Sequence, residues 1–223
     1  MIKLTNINKS YQDGSREIHV LHNLSLTIEN GESVSVMGRS GCGKSTLLHI
    51  LGGIEKIDSG SYLLDGTEMA KLGSEELAKV RSERIGLIFQ SFFLVKSLDC
   101  VSNVELPLGY AGVKTKERRE RAMNALKYVG MSDYADRNVT KLSGGQQQRI
   151  AIARAIVTSP SLILADEPTG NLDADTAEQI IELLVELAKR NSSTLVVVTH
   201  DSKIASHTNT QLVMENGVIR GRD

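Results

Sequence analysis

The sequence of 223 residues is short of aromatic side chains, with no Trp, 3 Phe and 5 Tyr. Proteins that bind single-stranded nucleic acid stack the bases on aromatic rings, and such platforms are scarce here. An excess of charge of one sign is also lacking, because 26 Lys and Arg residues balance 27 Asp and Glu residues to a net charge of −1. The balance gives no general argument for binding to nucleic acid or to an anionic membrane surface.

Cysteines and long apolar segments are equally scarce. Cys42 and Cys100 allow at most one disulfide, and a reduced, cytosolic chain is the simpler interpretation. The longest apolar runs, at 162–165 and 195–198, are strand-sized and fall far short of the roughly 18–20 residues of a membrane-spanning helix. Residues 1–12 lack the pattern of a secretory signal. We therefore expect a soluble chain that is not secreted by that route, although it can still serve a membrane.

The order of the predicted elements indicates an α/β fold. Apolar residues make up 40% of the chain, enough for the core of one large domain or of two small subdomains. Alternating residues up to about position 28 predict strands around a turn at Asp13-Gly14, and a helix-rich block extends from about 91 to 158. Buried strands are predicted at 32–37, 85–89, 162–165 and 194–199, and helices at 74–84 (with Ser74 as N-cap), 114–129 and 173–190. This alternation predicts a parallel sheet with a helical insertion.

A glycine-rich segment follows the strand predicted at 32–37. Its sequence, GRSGCGKS, fits the pattern G-x-x-x-x-G-K-[ST] at every fixed position. Glycines let successive backbone N–H groups turn around a polyphosphate, while Lys44 supplies a positive charge and the Ser45 hydroxyl is a natural ligand for Mg²⁺. The alternative is a glycine-rich turn that binds nothing, which the flanking strand and helix disfavour. The residues expected to bind the nucleotide here are Gly38, Arg39, Ser40, Gly41, Cys42, Gly43, Lys44, Ser45 and Thr46.

Polar side chains follow three other predicted strands. Asp166 and Glu167 end one apolar segment, Gln90 ends a second and His200 follows a third. Carboxylates at the end of a buried strand are costly unless they meet a cation or a partner, and this edge of an open α/β sheet is where ligands bind. We expect Asp166 to join the Mg²⁺ shell and Glu167 to orient or deprotonate an attacking water. The alternatives are two solvated acids and a satisfied surface histidine.

The segment LSGGQ at 142–146 forms a second structure suited to anions. A serine and two glycines precede a predicted helix, whose N-terminus favours negative charge. One chain thus offers two phosphate-binding structures, whereas a nucleotide has one γ-phosphate. A two-fold dimer, in which each segment faces the nucleotide of the other chain, resolves this. The residues concerned are Ser143, Gly144, Gly145 and Gln146.

With these motifs in place, the sequence resembles the ATP-binding cassette (ABC) family of ATPases over its whole length. Residues 38–45 are similar to the Walker A loop of that family, 142–146 to its signature and 162–167 to its Walker B strand. The resemblance implies a P-loop NTPase with a RecA-like core, an antiparallel β-subdomain and an α-helical subdomain near 91–158, all within one ABC ATPase domain over residues 1–223. It also implies that ATP lies between the Walker A loop of one copy and the signature of another.

The resemblance assigns roles to single residues as well. Glu167 is similar to the catalytic glutamate of the family and His200 to its switch histidine. Gln90 is similar to the Q-loop glutamine, Asp173 lies in a segment that resembles the D-loop, and Tyr11 falls where the family stacks an aromatic ring on adenine. The implied cofactors are ATP and Mg²⁺, with the metal held by Ser45, Gln90 and Asp166.

Four segments narrow the resemblance to ATPases of MacB-, LolD- and FtsE-type systems: 85–91, 103–108, 142–149 and 165–173. Such systems handle lipoproteins, antimicrobial peptides or other amphipathic cargo, or transmit force across the membrane. The implied partners are a second copy of the chain and integral membrane permease subunits, at the cytoplasmic face of the cell membrane. The apolar residues Phe92, Phe93 and Leu94 are candidates for a permease-docking groove or for ordinary core positions.

A different functional class is a soluble ABC ATPase that acts on DNA or ribosomes. Such proteins usually add coiled coils, zinc sites or a second cassette, none of which the sequence predicts. The basic cluster at 114–121 is interleaved with Glu117 and Glu120, which is typical of a solvated helix face. We therefore expect no nucleic acid partner. A P-loop kinase or GTPase would leave the segment 142–146 without a role.

Overall fold

The computed structural model describes residues 1–14 and 16–220 as strands and helices joined by short loops. The strands are β1 (Ile2–Asp13), β2 (Arg16–Ile28), β3 (Ser33–Met37), β4 (Ser59–Leu64), β5 (Thr67–Glu68), β6 (Ile85–Phe89), β7 (Leu162–Asp166), β8 (Thr194–Val198), β9 (Thr210–Glu215) and β10 (Val218–Arg220). The α-helices are α1 (Lys44–Leu51), α2 (Ser74–Arg84), α3 (Cys100–Tyr110), α4 (Thr115–Tyr128), α5 (Gly144–Ile156), α6 (Ala174–Arg190) and α7 (Ser202–Ala205).

The strands form two sheets. The larger has the order β10-β9-β3-β8-β7-β6, in which the strands from β9 to β6 pair in parallel and β10 pairs antiparallel to β9. The smaller is antiparallel, with the order β2-β1-β4-β5, and the predicted turn at Asp13-Gly14 lies between β1 and β2. Both the parallel sheet and the separate antiparallel strands agree with the sequence prediction.

The larger sheet is covered on both faces. Ile163 and Ala165 of β7 belong to an apolar cluster that includes residues of α5 and α6. The alternating Leu162 and Leu164 belong to a second cluster, which includes residues of α1 and of the antiparallel sheet. Successive side chains of a strand point to opposite faces, so an uninterrupted apolar segment is required where both faces are buried. Charged side chains are therefore confined to the ends of the central strands, and the buried Ser35 within β3 donates a hydrogen bond to a backbone carbonyl.

Some elements differ from the predicted ones. The sequence analysis included α3 only within the helix-rich block at 91–158; burial of Val101, Val104 and Leu108 and an N-cap from Asp99 stabilise it although it contains Pro107. Ser74 is not an N-cap as predicted. It is the first residue of α2, which is capped from Gly73, whose N–H donates to the Glu76 carboxylate.

No helix in the described part of the chain is both long enough and apolar enough to cross a bilayer.

Candidate functional site

A cavity of about 740 Å³ lies at the carboxyl edge of the larger sheet. It opens where β3, β8, β7 and β6 end side by side, which is where open α/β sheets bind ligands. The four strands therefore bring together residues that are far apart in the sequence. The lining residues are Val20, Gly38, Arg39, Ser40, Gly41, Gly43, Lys44, Ser45, Thr46, Gln90, Asp166, Glu167, Val198 and His200.

The glycine-rich loop joins β3 to α1 along one wall of this cavity. Gly41 and Gly43 have φ angles of 78° and 108°, in the left-handed region that glycine adopts without steric cost. The Lys44 ammonium donates hydrogen bonds to the carbonyls of Gly38 at 2.8 Å and Arg39 at 3.0 Å. These bonds hold a buried positive charge at the N-terminus of α1, where the backbone also favours an anion.

Cys42 is the loop residue that does not line the cavity. Its side chain is partly buried against the apolar cluster beneath the loop, and its carbonyl accepts a hydrogen bond from the Gly217 N–H at 3.0 Å. A Cβ at Gly38 would lie 2.7 Å from the Cys42 Sγ and 2.4 Å from the Met214 carbonyl oxygen. Cys42 therefore contributes packing and backbone contacts, and glycine is required at position 38.

The oxygen donors expected to bind Mg²⁺ lie together in the cavity. The Ser45 hydroxyl is 3.4 Å from the Asp166 carboxylate, and Gln90 lines the same cavity from the neighbouring strand end. Burial raises the pKa of Asp166, against the opposing effect of the hydrogen bond from Ser45. One carboxylate, one hydroxyl and one amide oxygen suit Mg²⁺, which is usually bound by one or two carboxylates together with water and phosphate oxygens. No group of three or more His, Cys, Asp or Glu side chains among the described residues could hold a metal ion.

Glu167 and His200 form a hydrogen-bonded pair in the same cavity. The Glu167 carboxylate is 2.8 Å from Nδ1 of His200, whose side chain is 73% exposed. Glu167 has a φ angle of 46°, a strained conformation for a residue with a side chain, and its N–H donates to the carbonyl of Val198 at 2.9 Å. The hydrogen bond and the negative charge of Glu167 raise the pKa of His200 from its ordinary value of 6.5.

Gln90 contacts the loop that follows Glu167. Its amide nitrogen donates to the Asn171 side-chain oxygen at 3.1 Å, and the Asn171 amide donates back to the Gln90 carbonyl at 3.0 Å. Sequence reasoning placed Asn171 in the D-loop-like segment and gave it no role. Because 81 residues separate the two side chains, no local pattern indicates their contact.

The signature residues do not line the cavity of their own chain. The Ser143 hydroxyl accepts from the N–H of Gln146 at 3.3 Å, and the Gln146 side chain accepts from the N–H of Ser143 at 3.0 Å, which is a capping box at the start of α5. A Cβ at Gly144 would meet Leu172 at 3.5 Å, and one at Gly145 would meet the Thr176 methyl group at 2.6 Å. The segment therefore packs against the start of α6.

Two further predicted residues have clear structural positions. The Asp173 carboxylate is the N-cap of α6 and accepts from the N–H of Thr176 at 3.0 Å and its hydroxyl at 2.7 Å; these hydrogen bonds lower the pKa of Asp173. Tyr11 lies in β1, and its ring is 5.1 Å from the Lys9 ammonium. Tyr11 does not line the cavity, so its predicted contact with adenine stays a prediction.

Gln148 is a residue near the site that sequence reasoning missed. It is fully buried in α5, and its amide donates to the Pro168 carbonyl at 2.6 Å, directly after Glu167. Its Oε1 has no hydrogen-bond partner among the described residues. The sequence signal was its place in the repeated glutamines after the signature, which did not distinguish it from its neighbours.

The comparisons with known proteins identify this combination of motifs. The sequence profile described as ABC transporter matches residues 21–170. The chain belongs to the ABC transporter family. It is 48% identical over 219 residues to the uncharacterized ABC transporter ATP-binding protein YknY of Bacillus subtilis (strain 168), which covers 98% of this chain and 95% of that protein. The resemblance found in the sequence is therefore confirmed.

Two other matches to this ABC protein show more about the family. The macrolide export ATP-binding/permease protein MacB of Shewanella sp. (strain ANA-3) is 42% identical over 219 residues; the match spans 98% of this chain but 33% of MacB. A dimeric structure of a post-hydrolysis state of the ATP-binding cassette MJ0796 bound to ADP and Pi superposes with a TM-score of 0.92 at 41% identity, over 100% of this chain and 98% of that one. The predicted fold class is confirmed, and the chain is an ATPase of the ATP-binding cassette type.

The ABC chain has a second cavity, of about 830 Å³, on the far side of β6. Apolar residues such as Phe89, Leu106 and Tyr110 make up much of its lining, which also contains four charged side chains, and Tyr110 is 82% exposed. The expected groove residues 92–94 do not line it: Leu94 packs against the core, and the Phe93 ring is 64% exposed and stacks edge-on against Phe89 at 5.1 Å between ring centroids. Leu94 thus takes the core alternative, and a docking role for this region stays a prediction.

The ion pair at the site leads to a prediction about pH. In a nuclear magnetic resonance titration of the imidazole, we expect His200 to have a pKa above 6.5, and we expect Glu167→Gln to lower that pKa. A raised pKa means that the pair contributes stability below pH 6.5 and loses it as the pH rises through the pKa of the folded state. Glu120→Gln, at an exposed position of α4, is the control. If His200 has the same pKa in the unchanged protein and in the Glu167→Gln variant, the pairing is contradicted.

Proposed function

We propose that this ABC ATPase is the ATP-binding and hydrolysing subunit of a membrane system of the MacB/LolD type. In this proposal one cassette domain spans residues 1–223, with a helical subdomain near 91–158. ATP-driven closure of a dimer would drive export or extraction of an amphipathic substrate, such as a lipoprotein, peptide or drug, or transmit force across the membrane. The ATPase part of this proposal rests on one observation: Lys44, Asp166 and Glu167 line the same cavity.

The cavity supports separate roles for its lining residues in ATP hydrolysis. The loop from Gly38 to Thr46 would hold the phosphates through its backbone N–H groups and the Lys44 ammonium. Ser45, Gln90 and Asp166 would hold Mg²⁺, which when bound supplies positive charge against the phosphate oxygens. Glu167 would orient or deprotonate the attacking water, and His200 holds the Glu167 carboxylate through its imidazole.

The position of the signature segment supports a homodimer. Residues 143–146 lie outside the cavity of their own chain, and the start of α5 has the orientation of backbone N–H groups that binds an anion. In a head-to-tail dimer they would complete the ATP site of the other copy, with Asp173 and the adjoining loop at the contact. The cassette MJ0796, which the chain resembles, has been solved as a dimer.

The apolar groove supports a permease partner. The matched part is 33% of MacB, a protein whose name joins ATP binding and permease in one chain. We propose that the groove lined by Phe89, Leu106 and Tyr110 receives a cytoplasmic helix of a separate permease subunit, which would hold the ATPase at the cytoplasmic face of the membrane. An apolar groove of this size fits a helix with apolar side chains on one face.

The structure offers little support for the DNA- or ribosome-bound alternative. In the basic cluster of α4, Arg121 pairs with Glu117, and Arg119 pairs with Asp136 at 2.7 Å. Side chains that are already paired with carboxylates contribute less to a phosphate-binding surface. Co-purification with a membrane protein or with nucleic acid separates the two classes.

The proposed base leads to a prediction for Glu167→Gln. Because the amide cannot accept a proton but keeps the shape of the side chain, we expect ATP binding to persist and phosphate release to fall by about 10²–10⁴-fold. Without turnover, ATP should hold the dimer closed, which size-exclusion chromatography with ATP detects. Glu120→Gln should show the activity of the unchanged protein. Unaltered phosphate release from Glu167→Gln would refute the role proposed for Glu167.

The phosphate loop leads to a separate prediction for Lys44→Ala. Loss of a charge-assisted contact should weaken ATP binding by about 10-fold or more, measured with a fluorescent ATP analogue. Lys116→Ala, at an exposed position of α4, is the matched control. Thermal melting should accompany both measurements, because Lys44 also bonds two carbonyls of its own loop. Full ATP affinity in a folded Lys44→Ala variant would exclude this role.

The groove leads to a prediction for Tyr110→Asp, which alters its lining, and for Phe93→Asp, which alters the ring that packs on the lining residue Phe89. Both side chains are exposed, so the isolated ATPase should fold and should retain its activity. Co-purification with a co-expressed permease in detergent, and transport by the pair, should be lost, because a carboxylate would be buried against an apolar helix. Ile54→Asp, another exposed apolar position outside the groove, should leave both intact. Normal complex assembly with Tyr110→Asp would rule out this groove as the docking site.

A further inference from the structure

The hydrogen bonds between Gln90 and Asn171 determine which way the Gln90 amide faces. The backbone carbonyl of Gln90 can only accept, so the Asn171 atom 3.0 Å from it must be the amide nitrogen. The Asn171 oxygen is then the atom 3.1 Å from the Gln90 side chain, which must present its own nitrogen. This leaves Oε1 of Gln90 as the amide atom not bonded to Asn171.

Gly170 gives the Gln90 amide its room. A Cβ at this position would lie 2.8 Å from the Gln90 Nε2 and 3.1 Å from its Cδ, closer than side-chain contacts allow. Gly170 does not have a left-handed φ, so the backbone conformation itself does not require glycine. Glycine is favoured here because the Gln90 amide lies against the Gly170 Cα.

The loop that carries these two residues is itself held in place. The Gly170 N–H donates to the Glu167 carbonyl at 3.1 Å, and the Leu172 N–H donates to the Thr169 carbonyl at 3.0 Å. From the other side, the buried Gln148 donates to the Pro168 carbonyl at 2.6 Å. A loop tied at successive residues positions what it touches more precisely than a free one.

We propose that Gly170 and Asn171 are positioning residues for Gln90, which hold its carboxamide so that Oε1 is available to a divalent cation beside Ser45 and Asp166. The inference rests on the proposed function, in which Gln90 is a ligand of Mg²⁺. Because the loop begins at Glu167, one short segment then positions both the proposed base and the proposed metal ligand.

Asn171 has the side chain that this role needs. Its side chain accepts a hydrogen bond from the Gln90 amide and donates one to the Gln90 backbone carbonyl. Alanine provides neither function, and aspartate would place an oxygen against the Gln90 carbonyl. Alanine at position 170 would act differently, since its Cβ would displace the flexible end of Gln90 without straining the backbone.

The test measures how much a divalent cation strengthens nucleotide binding. The probe is a fluorescent, non-hydrolysable ATP analogue, and the quantity is the ratio of its dissociation constants in EDTA and in Mn²⁺. The absence of Trp removes tryptophan emission from the fluorescence background. We expect Asn171→Ala and Gly170→Ala to reduce the ratio about 5-fold with unchanged affinity in EDTA, since the ligand is misplaced rather than lost. Gly73→Ala and the exposed Asn124→Ala are controls that should not change it.

The reference variant is Gln90→Ala, which removes the ligand itself. The double variant Gln90→Ala/Asn171→Ala should have the same ratio as Gln90→Ala, because Asn171 acts through Gln90 alone. If Gln90→Ala leaves the ratio unchanged, the metal role of Gln90 falls, and this inference falls with it. If Gln90→Ala reduces the ratio but Asn171→Ala and Gly170→Ala do not, the inference alone is overturned. Additive losses in the double variant would equally overturn it.

Discussion

Burial of the larger sheet on both faces is the constraint on which the candidate site depends. Residues 162–165 and 195–198 alternate between two apolar clusters, so that neither strand has a polar side exposed to water. A charged group within such a strand would be buried without a partner, at a cost of several kcal/mol. Charged side chains are therefore excluded until the strand ends, and the parallel arrangement brings all these ends to one edge. The chemistry of the site is concentrated there because the core excludes it elsewhere.

The same constraint explains the unusual local features of the site. Asp166 is the last residue of β7, where burial raises its pKa and favours the approach of a cation. One residue later the chain must turn away from the sheet, and Glu167 does so with a positive φ angle. Such strain persists only where the surroundings determine the conformation, as the hydrogen bonds from Glu167 to Val198 and from Gln148 to Pro168 do here. The partly buried carboxylate of Glu167 is then placed to pair with the exposed His200.

The features that could be predicted from the sequence are those with a local signal. The loop at 38–45 has fixed spacing, and Asp166 and His200 follow apolar runs; in the structure these residues, except Cys42, line one cavity. Helix α3 was predicted only as part of a helix-rich block; Pro107 weakens its local signal, and burial within the core supports it. The contact of Gln90 with Asn171 joins two loops and depends on the strand pairing of β6 with β7, which a single sequence does not reveal. Tertiary packing determines such contacts, and no short segment of the sequence encodes them on its own.

Strand β6 lies between the two cavities, and this has a consequence for how they communicate. Phe89 lines the apolar groove, and the next residue, Gln90, lines the nucleotide cavity. The following turn is fixed by Arg154 of α5, whose guanidinium donates to the carbonyls of Phe93 at 2.6 Å and Phe92 at 2.7 Å, both in residues with positive φ. The helix that carries Arg154 begins at the signature segment. A partner that displaces Phe89 would therefore move the adjacent Gln90, which lines the nucleotide cavity. A partner that displaces Phe93 would move a carbonyl bonded to Arg154 of α5, the helix proposed to complete the second ATP site. Packed elements with two discrete arrangements can transmit such a displacement, because a close-packed core does not absorb it locally.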